Sequence, residues 1–122
     1  MNNARTKTLG NAGEALVENY LQDLGYKILE KNYRRRYGEI DLIAAKGDLI
    51  AFVEVKARNN PAFSAMASIT RSKQHKIFLA AKSFIAKQRI TDKILRFDVA
   101  LVTVFEGNTT IEYIENAFVP EN

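Results

Sequence analysis

A hairpin in the middle of this chain carries charges whose types and spacing could hold a hard divalent cation. Gly38-Glu-Ile-Asp-Leu-Ile43 and Phe52-Val-Glu-Val-Lys-Ala-Arg58 flank Lys46-Gly-Asp48, a hairpin turn signal. Closure on Gly47-Asp48 sets Lys46 opposite Leu49, which places Asp41 opposite Glu54 and Glu39 opposite Lys56. Strand side chains alternate between faces, so these four charges leave the sheet on one side. Directly opposed carboxylates have Cβ atoms roughly 4.5–5.5 Å apart and repel unless a proton or a cation intervenes. Oxygen ligands of this kind suit Mg²⁺ or Mn²⁺. The competing account is ordinary ion pairing at an exposed sheet end, Glu39 with Lys56 and Asp41 with Lys56 or an arginine. A register shift of one residue would put Asp41 and Glu54 on opposite faces, so the register is the structural test.

The rest of the hairpin must hold these charges at the edge of a core. Ile40, Leu42, Ala44, Ala51, Val53 and Val55 form an apolar opposite face that needs a covering helix. Near the turn Ile43, Ala45, Ile50 and Phe52 make the charged side apolar as well, so it too is partly covered. Asn11 to Leu24 has the spacing of a helix, with Ala12, Leu16, Val17, Tyr20, Leu21 and Leu24 inward and Gly25 as its C-terminal cap. Tyr26 to Tyr33, Glu39 to Ala45 and Leu49 to Lys56 read as strands. Thr70 to Gln88 reads as a second helix with Ile77, Phe78, Ala81, Phe84 and Ile85 inward. Leu95 to Phe105 is expected as a nearly buried strand, turned at Gly107-Asn108 into a last strand around Thr110 to Ile114. The order αβββαββ predicts an α/β protein with a mixed sheet flanked by helices.

Composition narrows the chemistry. The 122 residues are the size of one domain, and 47% hydrophobic with 26% charged residues is the balance of a folding chain. The absence of cysteine excludes disulfides, a thiolate nucleophile and a cysteine zinc site, and a single histidine excludes a multi-histidine site. No apolar run is longer than Leu49 to Val53, far below the roughly 20 residues of a membrane span. Met1 to Lys7 is basic but no apolar signal core follows, so the expected location is cytoplasmic, with residues 1–9 a flexible basic N-terminus ahead of the domain. A formal charge of +4 favours a polyanionic partner.

With Gly10, Gly13-Glu-Ala, Gly25-Tyr, Asn32, Arg34, Lys73-Gln74 and Arg96-Phe-Asp-Val99 added to the hairpin motifs, nearly the whole chain resembles the YraN-like family of small bacterial proteins. That family belongs with the restriction-endonuclease-like PD-(D/E)XK nucleases and is similar to archaeal Holliday-junction resolvases. The resemblance implies an αβββαβ restriction-endonuclease-like core and a Mg²⁺- or Mn²⁺-dependent DNA endonuclease acting on branched or repair and recombination intermediates. It implies that Asp41 and Glu54 bind the cation, helped by the Val55 backbone carbonyl, that Lys56 lies beside the attacking water, and that Glu14 joins from the first helix. Ile40 stands where the motif has proline. Glu14 has a second explanation, since Asn11-Ala-Gly-Glu14 resembles a capping box. Glu39 and Gln74 are candidates for supporting positions around the cation, against neutralisation of Lys56 for Glu39 and simple solvation for Gln74.

Among several carboxylates Lys56 is expected to stay charged and to orient water. The basic residues Arg34, Arg35 and Arg36, with Arg58, Arg71, Lys73 and Lys76, form the expected phosphate-binding surface. Phe63 is expected either to stack on a base or to anchor its loop, and His75 to be an ordinary helix-surface residue. The partner is expected to be DNA, with RNA as the rival polymer and a non-catalytic nucleic-acid-binding module as the rival class. No membrane association is expected. A homodimer is the economical way to cut a junction symmetrically, and an activating partner protein is the other open association.

Overall fold

The computed structural model describes residues 3–62 and 64–120, with side chains from residue 10 onward. Helix α1 (Asn3–Asp23) is followed by β1 (Lys27–Arg35), β2 (Gly38–Lys46) and β3 (Leu49–Arg58). A short 3₁₀ turn (Ala65–Ser68) leads to α2 (Arg71–Lys87), β4 (Ile94–Phe105) and β5 (Asn108–Ile114). The five strands lie in sequence order, antiparallel except for β3 and β4, which run parallel because α2 carries the chain back between them. Phe63 lies outside the described residues, as do residues 1 and 2.

Each sheet face has its own core. Val17 and Leu21 of α1 pack on Leu42, Ala44, Ala51, Val53, Ala100 and Val102, while Ile77, Ala80, Ala81 and Phe84 of α2 cover Ile43, Ile50 and Phe52. The buried stripe of α1 is Gly13, Val17 and Leu21, narrower than expected, and Ala12, Leu16 and Leu24 face solvent. Gly13 permits this close packing, since a Cβ there would meet Ala57 at 3.4 Å. Gly25 (φ +93) ends α1 with Tyr26 donating to the Leu21 carbonyl and Gly25 to that of Gln22, the paired bonds of a glycine-capped C-terminus.

Helix α1 starts at Asn3, so Asn11 and Glu14 are interior residues and the capping-box account of Glu14 fails. Residues 3–9 continue α1 as helix, as a polar segment without proline can upstream of its packed stripe. For α2 the boundaries match the sequence: Thr70 is the N-cap, its hydroxyl accepting from the Lys73 N–H at 3.2 Å. The last hairpin turns one residue earlier than expected, with Phe105 paired to Asn108 and both Glu106 and Gly107 at positive φ.

Candidate metal and hydrolytic centre

The central hairpin closes as its sequence requires. Lys46 pairs with Leu49 across the Gly47-Asp48 turn, and the ladder runs to Leu42 opposite Val53. There the pairing stops. Beyond it the Asp41 carboxylate takes a backbone position, its Oδ2 accepting from the Val55 N–H at 2.8 Å. Regular alternation fails at the same point, because Ile40 packs in the α2-side core and Leu42 in the α1-side core. The neighbouring strand bends with it: Asn32, between Lys31 and Tyr33, has φ +52, a conformation that asparagine tolerates. The result is a fork between β2 and β3, with Asp41 at its root.

Glu54 lies beside Asp41 and is only 4% exposed. Burial, with the Glu54 charge and a hydrogen bond shared with Glu54, pushes the Asp41 carboxyl up to about 8, against the opposing pull of the Val55 N–H. Two carboxyls that share a hydrogen bond hold a proton between them. Glu54 is partly neutralised by lysines, with Lys73 Nζ at 2.7 Å and Lys56 Nζ at 3.4 Å from its Oε2. Burial lowers the Lys56 value, and the adjacent Lys73 ammonium lowers it further against the attraction of Glu54. Lys73 moves the other way: burial opposes its charge, but its bonds to Glu54 and Lys56 outweigh that and raise it. Lys73, the nearer of the two ammonium groups, occupies the position of principal counter-ion to Glu54.

Other expected members fall into place or away. Glu39 pairs with Arg34 at 3.0 Å across β1 and β2 rather than with Lys56, since the ladder that would have opposed it to Lys56 has ended. Glu14 is half-buried, and burial raises its carboxyl while a bond to Asn32 lowers it and the charges of Glu39 and Glu54 raise it again. It faces the fork electrostatically, but among the described residues no group of three or more His, Cys, Asp or Glu side chains is placed to hold a metal. Gln74 holds the turn before α2, donating to the Ile69 carbonyl at 3.2 Å. Of the basic residues, Arg35 is tied to the fold through Ser83 at 3.2 Å and the Tyr33 ring at 4.2 Å, and Arg58 donates to Thr103 at 2.8 Å. Arg34, Arg36, Arg71 and Lys76 are exposed.

The donor set suits a hard cation. Asp41 and Glu54 bring their carboxyl oxygens together at the fork, and the Val55 carbonyl projects to the same strand edge as its N–H. Two carboxylates with water completing the shell is the usual manner of holding Mg²⁺.

Lys73 escaped sequence reasoning as a member of this centre. The available signal was its place in the first turn of a helix capped at Thr70, close to a buried carboxylate with no other full counter-ion. Gly38 is the second unforeseen determinant: a Cβ there would run into the Lys76 carbonyl, so β2 begins in contact with the α2 backbone. Gly38→Ala is expected to cost about 1–3 kcal/mol in chemical denaturation through overpacking, and to push the Lys73 turn away from Glu54. Unchanged stability would show that α2 is not clamped there.

These features define a single-domain α/β protein with a five-stranded mixed sheet between two helices and a buried carboxylate and lysine centre where two strands fork. The chain belongs to UPF0102, described as an uncharacterised protein family, whose model matches residues 13–102. It is 45% identical over 113 residues to the UPF0102 protein of Geobacter metallireducens, covering 92% of this chain and 93% of that one. The UPF0102 proteins of Alkaliphilus metalliredigens (40% identical, 93% of this chain and 99% of the relative) and Chlorobium chlorochromatii (45%, 93% and 92%) are similar over the same extent. Among the described residues, no helix is long and apolar enough to cross a membrane.

Proposed function

We propose that this protein is a cytoplasmic Mg²⁺- or Mn²⁺-dependent endonuclease of the restriction-endonuclease-like PD-(D/E)XK type, hydrolysing phosphodiester bonds in branched or repair-intermediate DNA. The observation that carries this is the pairing of the half-buried Asp41 with the buried Glu54, beside two lysines, at the strand fork. A carboxylate pair that shares a proton inside a core opposes folding unless it has a use.

Asp41 and Glu54 would hold the cation, with the Val55 carbonyl beside them and Glu14 adding negative potential from α1. The bound cation supplies charge stabilisation and lowers the pKa of its water. Lys56, held below the ordinary lysine value, orients the attacking water and accepts its proton. The water oxygen forms the new bond to phosphorus as its proton passes to Lys56 Nζ, and the bond to the leaving sugar oxygen breaks as that oxygen takes up a proton from solvent water. Lys73 stays charged next to the phosphate and stabilises the added negative charge. Arg34, Arg36, Arg71 and Lys76 give sequence-independent, salt-sensitive contacts along the backbone.

The pH dependence follows from Asp41. Its carboxyl must lose its proton to take a cation, so Mn²⁺ affinity is expected to fall about tenfold per pH unit below about 8 and to level off above it. Calorimetric titration between pH 6 and 9 measures this, and a flat profile would remove Asp41 from the ligand set.

A non-catalytic nucleic-acid-binding module is favoured by one feature, the occupation of Glu54 by two lysines with no third carboxylate grouped with the pair among the described residues. Cleavage and Mn²⁺ titration of Lys56→Ala and Asp41→Ala decide between the two. The nuclease requires both variants to lose cleavage while only Asp41→Ala loses most of its Mn²⁺ affinity. Salt-dependent DNA binding by wild type with no cleavage under either cation supports the module.

A further inference from the structure

The turn between β1 and β2 is Arg36-Tyr37, since Arg35 pairs with Gly38. Tyr37 is 49% exposed, an aromatic ring presented to solvent at a hairpin tip. The tip is fixed rather than loose. Arg35, just before it, is bonded to Ser83 and lies over the Tyr33 ring, and Gly38, just after it, rests on the α2 backbone. Beside the tip opens a cleft of about 330 Å³ lined by Gly38, Glu39, Ser72, Lys73 and Lys76 among others. Lys73 lines this cleft and also touches Glu54 at 2.7 Å, so one side chain joins the cleft to the carboxylate pair.

We propose that this cleft and the Arg36-Tyr37 tip form a subsite for one unpaired deoxynucleotide next to the bond being cut, with Tyr37 stacking on the base and Lys76 and Arg36 holding flanking phosphates. An aromatic platform with cations spaced along a groove is the general solution for single-stranded nucleic acid, because every base has a face on which to stack. The volume is at the lower limit of small-ligand pockets and admits one nucleotide, not a duplex. Selection for branched or frayed DNA over continuous duplex follows from this subsite. It rests on the nuclease proposal.

The test uses the whole protein in EDTA, with a single-stranded DNA carrying 2-aminopurine and the corresponding duplex. Wild type and Tyr37→Phe are expected to quench 2-aminopurine on binding. Tyr37→Ala is expected to lose the quenching and about tenfold in single-strand affinity, with duplex affinity unchanged. Equal quenching and affinity in Tyr37→Ala overturns the subsite while leaving the nuclease standing. Failure of the wild type to bind either DNA in EDTA, with no cleavage when Mn²⁺ is then supplied, overturns both.

Discussion

Asp41→Asn is expected to stabilise the cation-free protein at pH 8 by about 2–4 kcal/mol while abolishing cation binding and cleavage. The Asp41 carboxyl titrates near 4 in the unfolded chain and at about 8 in the fold. Below pH 4 it is neutral in both states and opposes nothing. As pH rises from about 4 to about 8 the unfolded chain releases a proton that the fold retains, so stability falls throughout that window and is constant above it. Asparagine removes the titration, and its side-chain oxygen can still accept from the Val55 N–H that Asp41 now satisfies at 2.8 Å. Urea unfolding at pH 5 and pH 8 in EDTA should show the variant's advantage growing with pH. Mn²⁺ should then raise the wild-type midpoint and leave the variant unmoved, since only a binding-competent fold gains from a ligand. A wild type as stable as the variant at pH 8 would mean that the carboxylate pair is not under strain.

Asp98→Ala is expected to destabilise by about 3–5 kcal/mol, a large part of the stability of a domain this size. Asp98 is fully buried on β4, next to the strand that carries Glu54. Its oxygens accept from Arg96 at 2.8 Å, the Tyr113 hydroxyl at 2.6 Å and the Asn116 N–H at 2.8 Å, and Arg96 in turn donates to the Tyr26 hydroxyl at 2.8 Å. This one carboxylate therefore ties β4 to β5, to the segment after β5 and to the turn after α1. Alanine leaves a half-buried guanidinium, a hydroxyl and an amide without an acceptor, and each carries a desolvation penalty. Burial, the largest cause holding the Tyr113 hydroxyl above its ordinary value, persists in the variant and opposes ionisation that would replace the lost charge. The double variant Arg96→Met, Asp98→Leu should recover part of the loss, because no unpaired charge remains. A loss below about 1 kcal/mol for Asp98→Ala would show the network to be dispensable.

What the sequence made legible, and what it hid, follows from how local each determinant is. The hairpin register near its turn depended on Gly47, whose φ of +58 suits a tight turn, and the pairing of Lys46 with Leu49 followed. Thr70 and Gly25 marked helix ends for equally local reasons. The fork at Asp41 was hidden because period-two alternation assumes an unbroken strand, whereas the break depends on a side chain displacing a ladder bond and on Asn32 in the next strand. The Lys73 contact with Glu54 and the contact of Gly38 with Lys76 depend on where α2 lands, which neither local pattern contains. Asn11 misled because its capping pattern is sound in isolation, while the helix passes through it from Asn3.

The most direct test of the central claim is cleavage of labelled single-stranded, duplex, flap and four-way-junction DNA with Mg²⁺ and with Mn²⁺ at pH 8.5, wild type beside Glu54→Gln. Cation-dependent cleavage by wild type, strongest on the DNAs with unpaired nucleotides and lost in Glu54→Gln, is the predicted result. Cleavage that Glu54→Gln retains in full, or none of any DNA by wild type, would contradict it.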